Sequence, residues 1–169
     1  PDLAPLISID GFGTGWGETN LDLGIRSNWG AGIKSLTGIS GFYYDNPIDN
    51  NGDGMTDLTL SKRISIFQKI QVERPSNRVF NLAARYVYED RWGGEMNWTK
   101  ADRGGDQVYG ESIYTSRWET FGNWQLPTIE DLTFQFSANG HSQNSVYGNT
   151  VYIADQYIGF GQLTWNKPI

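Results

Sequence analysis

The chain is 169 residues long, enough for one domain. Its formal net charge of -6 excludes the basic surface that nucleic-acid binding requires. No cysteine is present and His141 is the one histidine, which excludes disulfides and thiolate or histidine-cluster metal sites within these residues.

Aromatic residues make up 14% of the chain and glycine occupies 21 positions, yet the chain is polar on average. That mixture fits strands with one apolar and one wet face, and rings placed at a lipid–water boundary. A carbohydrate-binding sandwich shares it. No apolar run reaches the roughly 18 residues of a transmembrane helix, and no signal-peptide pattern is visible. The chain starts at Pro1 and stops at Ile169 in mid-pattern, so it is expected to be an internal piece of something longer.

Residues 1–17 hold a short apolar run, Leu6 to Ile9, then GFGTGWG. The glycine spacing imitates a dinucleotide loop, but no helical pattern follows, so the stretch reads as a glycine-rich turn. From 19 to 29, Leu21, Leu23 and Ile25 alternate with Asn20, Asp22, Gly24 and Arg26. The run 33–44 alternates too, but neither of its faces is clean. Residues 45–57 form a loop. From 57 to 74, Leu58, Leu60, Ile64, Ile66, Ile70 and Val72 share one face, interrupted by Lys62 and Gln68. A run this long exceeds the usual 5–6 residues of a globular strand and suits a tilted strand that crosses a bilayer in about 9–11 residues and projects beyond it.

A tight turn at Pro75-Ser76-Asn77 leads into 79–89, where Phe80, Leu82, Ala84, Tyr86 and Tyr88 face one way and Asn81, Ala83, Arg85, Val87 and Glu89 the other. A long loop occupies 92–105. A strand at 108–126 sets Tyr114, Trp118 and Trp124 against Arg117, Glu119, Asn123 and Gln125. After a short turn at 127–131, Leu132, Phe134, Phe136 and Ala138 alternate with Thr133, Gln135, Ser137 and Asn139. A polar loop is expected at 142–149 and a last strand at 152–165. About eight long antiparallel strands result, with long loops on one end and short turns on the other, which is the loop pattern of an outer-membrane barrel. Arg, Lys and Glu on the second face suit a water-filled lumen better than a dry core.

At this point RYVYEDRWGGEMNW (85–98), RGGDQVYGESIYTSRWE (103–119), NGHSQNSVYG (139–148) and IGFGQLTWNK (158–167) resemble the barrel region of TonB-dependent outer-membrane receptors of the Bacteroidetes type. The resemblance runs from about Asn28 to Lys167. It implies an all-β transmembrane barrel of about 22 strands with an N-terminal plug, located in the bacterial outer membrane. It also implies uptake of a scarce nutrient using energy from an inner-membrane TonB complex, and no enzymatic activity. About eight strands make only an arc of such a barrel, and no plug segment or energy-coupling box is visible. Expected partners are therefore the remaining barrel and plug, the energy-coupling complex, outer-membrane lipid and a nutrient ligand, with no nucleic acid. The end at 165–169 lacks the terminal aromatic of a complete barrel.

Two stretches could carry chemistry. DNNGDGMTD places Asp49, Asn51 and Asp53 at positions 1, 3 and 5 of a calcium loop, with Gly54 at 6, the Met55 carbonyl at 7 and Asp57 at 9. Hard oxygen ligands at alternate positions with a glycine at the bend are what Ca²⁺ takes. Leu60 stands where an EF-hand has its bidentate glutamate, and a plain Asn/Asp/Gly loop explains the same residues. In the central loop, Arg91, Trp92, Glu95, Trp98, Arg103, Asp106 and Tyr109 could grip a ligand with rings and charges. Self-packing of the loop explains each of them as well. Glu89/Asp90 and Glu130/Asp131 point to opposite strand faces, so neither is an acid–base pair. His141 reads as a solvated or loop-bracing side chain.

Two alternatives stay open: a soluble or surface-exposed carbohydrate-binding β-sandwich with a calcium-braced loop, and a small structural outer-membrane barrel.

Overall fold

The structure is a computed structural model and describes residues 3–74, 78–127 and 132–166. Eight strands follow in chain order: β1 (Ile7–Gly13), β2 (Thr19–Gly30), β3 (Ile33–Tyr44), β4 (Leu60–Arg74), β5 (Arg78–Gly94), β6 (Gly110–Gln125), β7 (Leu132–Tyr147) and β8 (Thr150–Trp165). A single 3-10 turn, Lys100–Asp102, is the only helical element among the described residues. The strands form one antiparallel sheet in the order β1 to β8, each paired with its neighbours in sequence. Among the described residues there is no second sheet, and β1 and β8 do not pair with each other. Both the sandwich and a barrel closed by these eight strands alone are therefore absent from this fold.

Strands β2 to β8 run 12 to 17 residues, and continuous register carries the alternation across the sheet. One row links Ile9, Leu23, Ile39, Ile66, Tyr86, Trp118, Gly140 and Tyr157 through all eight strands. Another on the same face links Ile33, Val72, Phe80, Trp124, Phe134 and Leu163. Side chains directly opposite in a ladder project to the same side, so one face is apolar from β1 to β8. On β4 that band runs from Val72 to Ile64, about 27 Å along the strand and about 20 Å in height once tilted, near the apolar band of a membrane barrel.

The opposite face is polar. One row reads Asp10, Asp22, Ser40, Ser65, Val87, Arg117, His141 and Gln156. Arg85 Nε lies 2.8 Å from Glu119, and Arg117 donates to the same carboxylate at 3.0 Å. Asn81 donates to Asn123 at 2.9 Å.

The Gln68 interruption of the apolar face is neutralised locally. Thr37 Oγ1 donates to Gln68 Oε1 at 2.7 Å, and Gln68 Nε2 donates to Ser35 Oγ at 2.5 Å. The amide thus meets its needs from neighbours on β3 and does not leave an unpaired polar group on an apolar surface, where it would cost about 1–3 kcal/mol.

No core exists in the usual sense. Among the described residues only Tyr44, Leu60, Ala83, Trp98 and Val146 are buried apolar side chains. The accessible surface is 10673 Å², against about 8,400 Å² for a soluble monomer of 19.0 kDa. Soluble monomers rarely expose a contiguous apolar patch beyond about 300–600 Å², and here such a surface spans eight strands.

Several boundaries differ from the sequence reading. The glycine-rich stretch is half strand, because Gly11 and Gly13 lie in β1 opposite Leu21 and Thr19. The central loop is 95–109, since β5 continues to Gly94 and β6 begins at Gly110. The loop expected at 142–149 is strand; β7 reaches Tyr147 and turns at Gly148 and Asn149 into β8. His141 accordingly sits in β7 opposite Arg117, not in a turn. One sheet end therefore carries loops of mixed length: 14–18, 45–59, 95–109 and the two-residue turn at 148–149. The other end carries a two-residue turn at Ala31 and Gly32, with φ of 49° and 75°. The turns expected at 75–77 and 127–131 lie outside the described residues except for Pro127, as does the Glu130/Asp131 pair.

Candidate functional site at the loop end of the sheet

The two long loops are joined into one unit. Met55 bridges Glu95, Thr56 N donates to Gly94 O at 2.8 Å, and Met96 N donates to Gly54 O at 2.9 Å. Gly94 N returns a bond to Thr56 Oγ1 at 3.0 Å. The ladder of β4 and β5 is thus prolonged past the strand ends by backbone bonds from the 49–57 loop.

Within that loop Asp49 accepts from Gly52 N at 2.7 Å, Asp53 N at 3.2 Å and Gly54 N at 2.8 Å. Asn51 accepts from Asp53 N at 3.0 Å, and Asp53 from Met55 N at 2.9 Å. Asp57 turns to Asn50, accepting from its backbone N at 2.7 Å and its amide at 2.9 Å. Gly52 and Gly54 take positive φ, 72° and 83°, which the tight winding demands. No group of three or more His, Cys, Asp or Glu placed to hold a metal occurs among the described residues.

The 95–109 loop folds down over the apolar-face side of the sheet. The side chains of Trp98, Lys100 and Arg103 hold it to residues in the registered rows of that face. Trp98, 5% exposed, stacks on Trp92 at 4.7 Å and fills the space over Gly110, where a Cβ would collide with the indole. Lys100 pairs with Asp90 at 2.8 Å. The Arg103 guanidinium lies 4.8 Å from the Tyr114 ring centroid. It donates to Ser112 Oγ at 3.2 Å and to the Asn144 side chain at 2.8 Å. The hydrogen bond that the Lys100 ammonium donates to the Asp90 carboxylate holds it above its ordinary pKa.

The loop is closed at its base by Glu95. Its backbone N donates to Tyr109 O at 2.9 Å, and its carboxylate accepts from Tyr109 N at 2.7 Å. Thr99 and Asp102 form a reciprocal cap on the 3-10 turn, with 2.8 and 2.9 Å bonds to the carboxylate. The Tyr109 hydroxyl donates to Glu111 at 2.7 Å, which raises its pKa.

Of the seven loop residues expected to face a ligand, Trp92, Trp98 and Arg103 are engaged in holding the loop to the sheet, and Glu95 closes it. Arg91, Asp106 and Tyr109 are exposed. Arg91 stands on the polar face, opposite Ser61, so the seven do not converge on one point. Glu89 and Asp90 separate as expected: Glu89 meets Ser61 at 3.4 Å on the polar face, and Asp90 meets Lys100 on the other.

Between this loop and the ends of β3, β4 and β5 lies a recess of about 200 Å³. Leu60 and Trp98 form its buried apolar lining, and Asp45, Lys62, Asp90 and Lys100 its charged rim. Lys62 pairs with Asp45 at 2.7 Å. Sequence reading missed Asp45 and Lys62 as parts of this recess, because nothing local joins the end of β3 to a loop some fifty residues on. The polar face carries a wider groove of about 350 Å³ between Asp10, Asp22, Ser40, Phe67 and Arg85, floored by the paired Gly24 and Gly38.

Compared with protein-family models, curated proteins and solved structures, the chain matches none of them. The fold and its sites therefore rest on their own geometry.

Proposed function

We propose that this chain is a stretch of wall from a TonB-dependent receptor barrel in the bacterial outer membrane, acting in energy-coupled nutrient uptake and not as an enzyme. The observation that carries the membrane part is the exposed apolar face, registered across eight strands with no second sheet behind it among the described residues. Lipid takes up that face, and a watery lumen takes up the charged one. The receptor part rests on the resemblance of the blocks at 85–98, 103–119, 139–148 and 158–167. The outer edges of β1 and β8 continue into the remaining strands, since an open edge in lipid leaves backbone groups unpaired. The loops 45–59 and 95–109 face outside, and a plug and its energy-coupling complex act from the polar side.

The absence of cysteine makes the test clean. Single substitutions Ile66→Cys and Tyr86→Cys lie on the apolar face, and Ser65→Cys and Val87→Cys on the other. In membranes of cells expressing the chain, a water-soluble maleimide labels 65 and 87 and spares 66 and 86. Equal labelling of all four sinks the membrane reading.

For the 49–57 loop we propose a bracing calcium ion, held by the oxygens of Asp49, Asn51 and Asp53 and the Met55 carbonyl. What supports it is that Asp49, Asn51 and Asp53 are each already oriented by backbone N–H groups. Calcium, and not magnesium, then protects residues 45–59 from proteolysis, and Asp49→Ala abolishes that protection. No difference between the two ions rejects the ion site.

A further inference from the structure

We infer that Arg74 and Arg78 form a binding site for the phosphate of an anionic phospholipid headgroup, at the rim of the apolar face farthest from the long loops. The inference rests on the membrane-wall reading above. Three observations carry it.

The first is uncompensated charge. Arg74 and Arg78 stand directly opposite each other at the ends of β4 and β5, and like charges so placed repel. Both side chains then reach the end of β6. Arg74 Nη2 donates to Gln125 O, and Arg78 Nη1 donates to Pro127 O. Carbonyls are neutral and leave both positive charges standing. None of the ion pairs among the described residues involves either arginine. The adjacent Glu73 belongs to the polar face and pairs with Lys34 at 2.8 Å.

The second is spare donors. A guanidinium carries several N–H groups in a planar fork, and the backbone takes only part of each. Arg74 Nε has no hydrogen-bond partner among the described residues. Two such forks with no acid between them suit phosphate, whose oxygens accept from guanidinium groups in pairs. A zwitterionic headgroup brings a cation that finds no carboxylate here.

The third is position. The next registered pair along the same face is Val72 and Phe80, in the apolar band. One such step is about 7 Å. Trp124, opposite Phe80, and Trp165 are exposed at the same end of that face. Tryptophan rings mark a lipid–water boundary, and arginine side chains reach from it to the headgroups.

The test measures association of the full chain with vesicles of phosphatidylcholine alone and of phosphatidylcholine with phosphatidylglycerol. The net charge of -6 opposes general attraction to the anionic vesicles, so tighter binding to them requires a local site. The expected result is at least about fivefold tighter association with the mixture, about 1 kcal/mol. That preference is lost in R74Q/R78Q and persists in R63Q/K69Q, which removes the same charge from the polar face. Circular dichroism checks the strand content of each variant, and the single variants R74Q and R78Q, each with a reduced preference, serve if the double variant does not fold. A preference that survives the loss of both arginines overturns the proposal, as does one lost equally in R63Q/K69Q. Equal association of the parent with both vesicles overturns it while leaving the membrane-wall reading intact. Association with neither overturns both. Glu130 and Asp131 follow shortly after Pro127 in the chain. A preference absent from the parent and present in E130Q/D131N assigns the arginines to those carboxylates and overturns the proposal. In a second arm, inorganic phosphate is added without vesicles. A saturating tryptophan fluorescence response at micromolar concentration assigns the site to dissolved phosphate and overturns the lipid source, and no such response is the expected result.

Discussion

Trp98 stacks on Trp92 with ring centroids 4.7 Å apart and planes inclined by 29°, and this contact decides where the central loop goes. Trp92 belongs to the rows of the apolar face, opposite Leu60 and Ser112. A loop anchored there lies outside the polar groove and leaves it open. Trp98→Ala removes a buried indole, a loss of about 3–5 kcal/mol in a fixed core. The loop can peel away without the sheet, so its local opening free energy caps the cost. New protease cuts within 95–109 and loss of the near-ultraviolet circular dichroism of the pair are expected, with strand content unchanged. A variant as protease-resistant as the parent refutes the anchor.

Gly140 on β7 faces Trp118 on β6, whose indole lies over the space a side chain would need. Gly140→Ala forces the ring aside, at about 1–3 kcal/mol. Trp118→Leu in the same chain restores most of that loss. The measurement is a denaturation midpoint for the two single variants and the double. Additive losses contradict the contact.

The Arg85–Glu119–Arg117 cluster distinguishes a wet face from a dry one. Its side chains are 42%, 19% and 48% exposed. Glu119→Gln in a solvated cluster costs below about 1 kcal/mol. In a dry interior the same change costs about 3–5 kcal/mol. We expect the small value, and a loss in the upper range contradicts a water-filled lumen.

Asp90 raises the pKa of Lys100 in the folded chain. A raised cationic pKa contributes stability that is fully present below the ordinary lysine value and is lost as pH rises through the folded one. The loop should therefore loosen only at strongly alkaline pH, read as increased proteolysis of 95–109. Lys100→Gln should be insensitive over that range, and the same alkaline loosening in this variant rules the pair out as its cause.

Much of the sheet was legible beforehand. The faces of β2, β4, β5, β6 and β7 follow from alternation, because a period of two assigns each side chain once the strand is known. β3 could not be assigned alone. Leu36, Phe42 and Tyr44 stand on its polar face, and only pairing with β2 and β4 shows that Ile33, Ile39 and Tyr43 join the apolar rows. The upper part of β7 was misread as a loop because Ser142, Gln143, Asn144 and Ser145 are polar on both faces, so no alternation marks a strand.

The amino-acid sequence by itself determined the strand chemistry: which residues are apolar, at what spacing, and the polar runs that must leave the apolar band. Those are local properties of composition and period. The tertiary structure decided the rest, because register and loop direction are set by partners distant in the chain. Arg103 reaches Asn144, forty-one positions away, and Lys62 meets Asp45 across a loop. Only such pairings bring two ordinary salt bridges and two tryptophans into a single recess at the edge of an apolar wall.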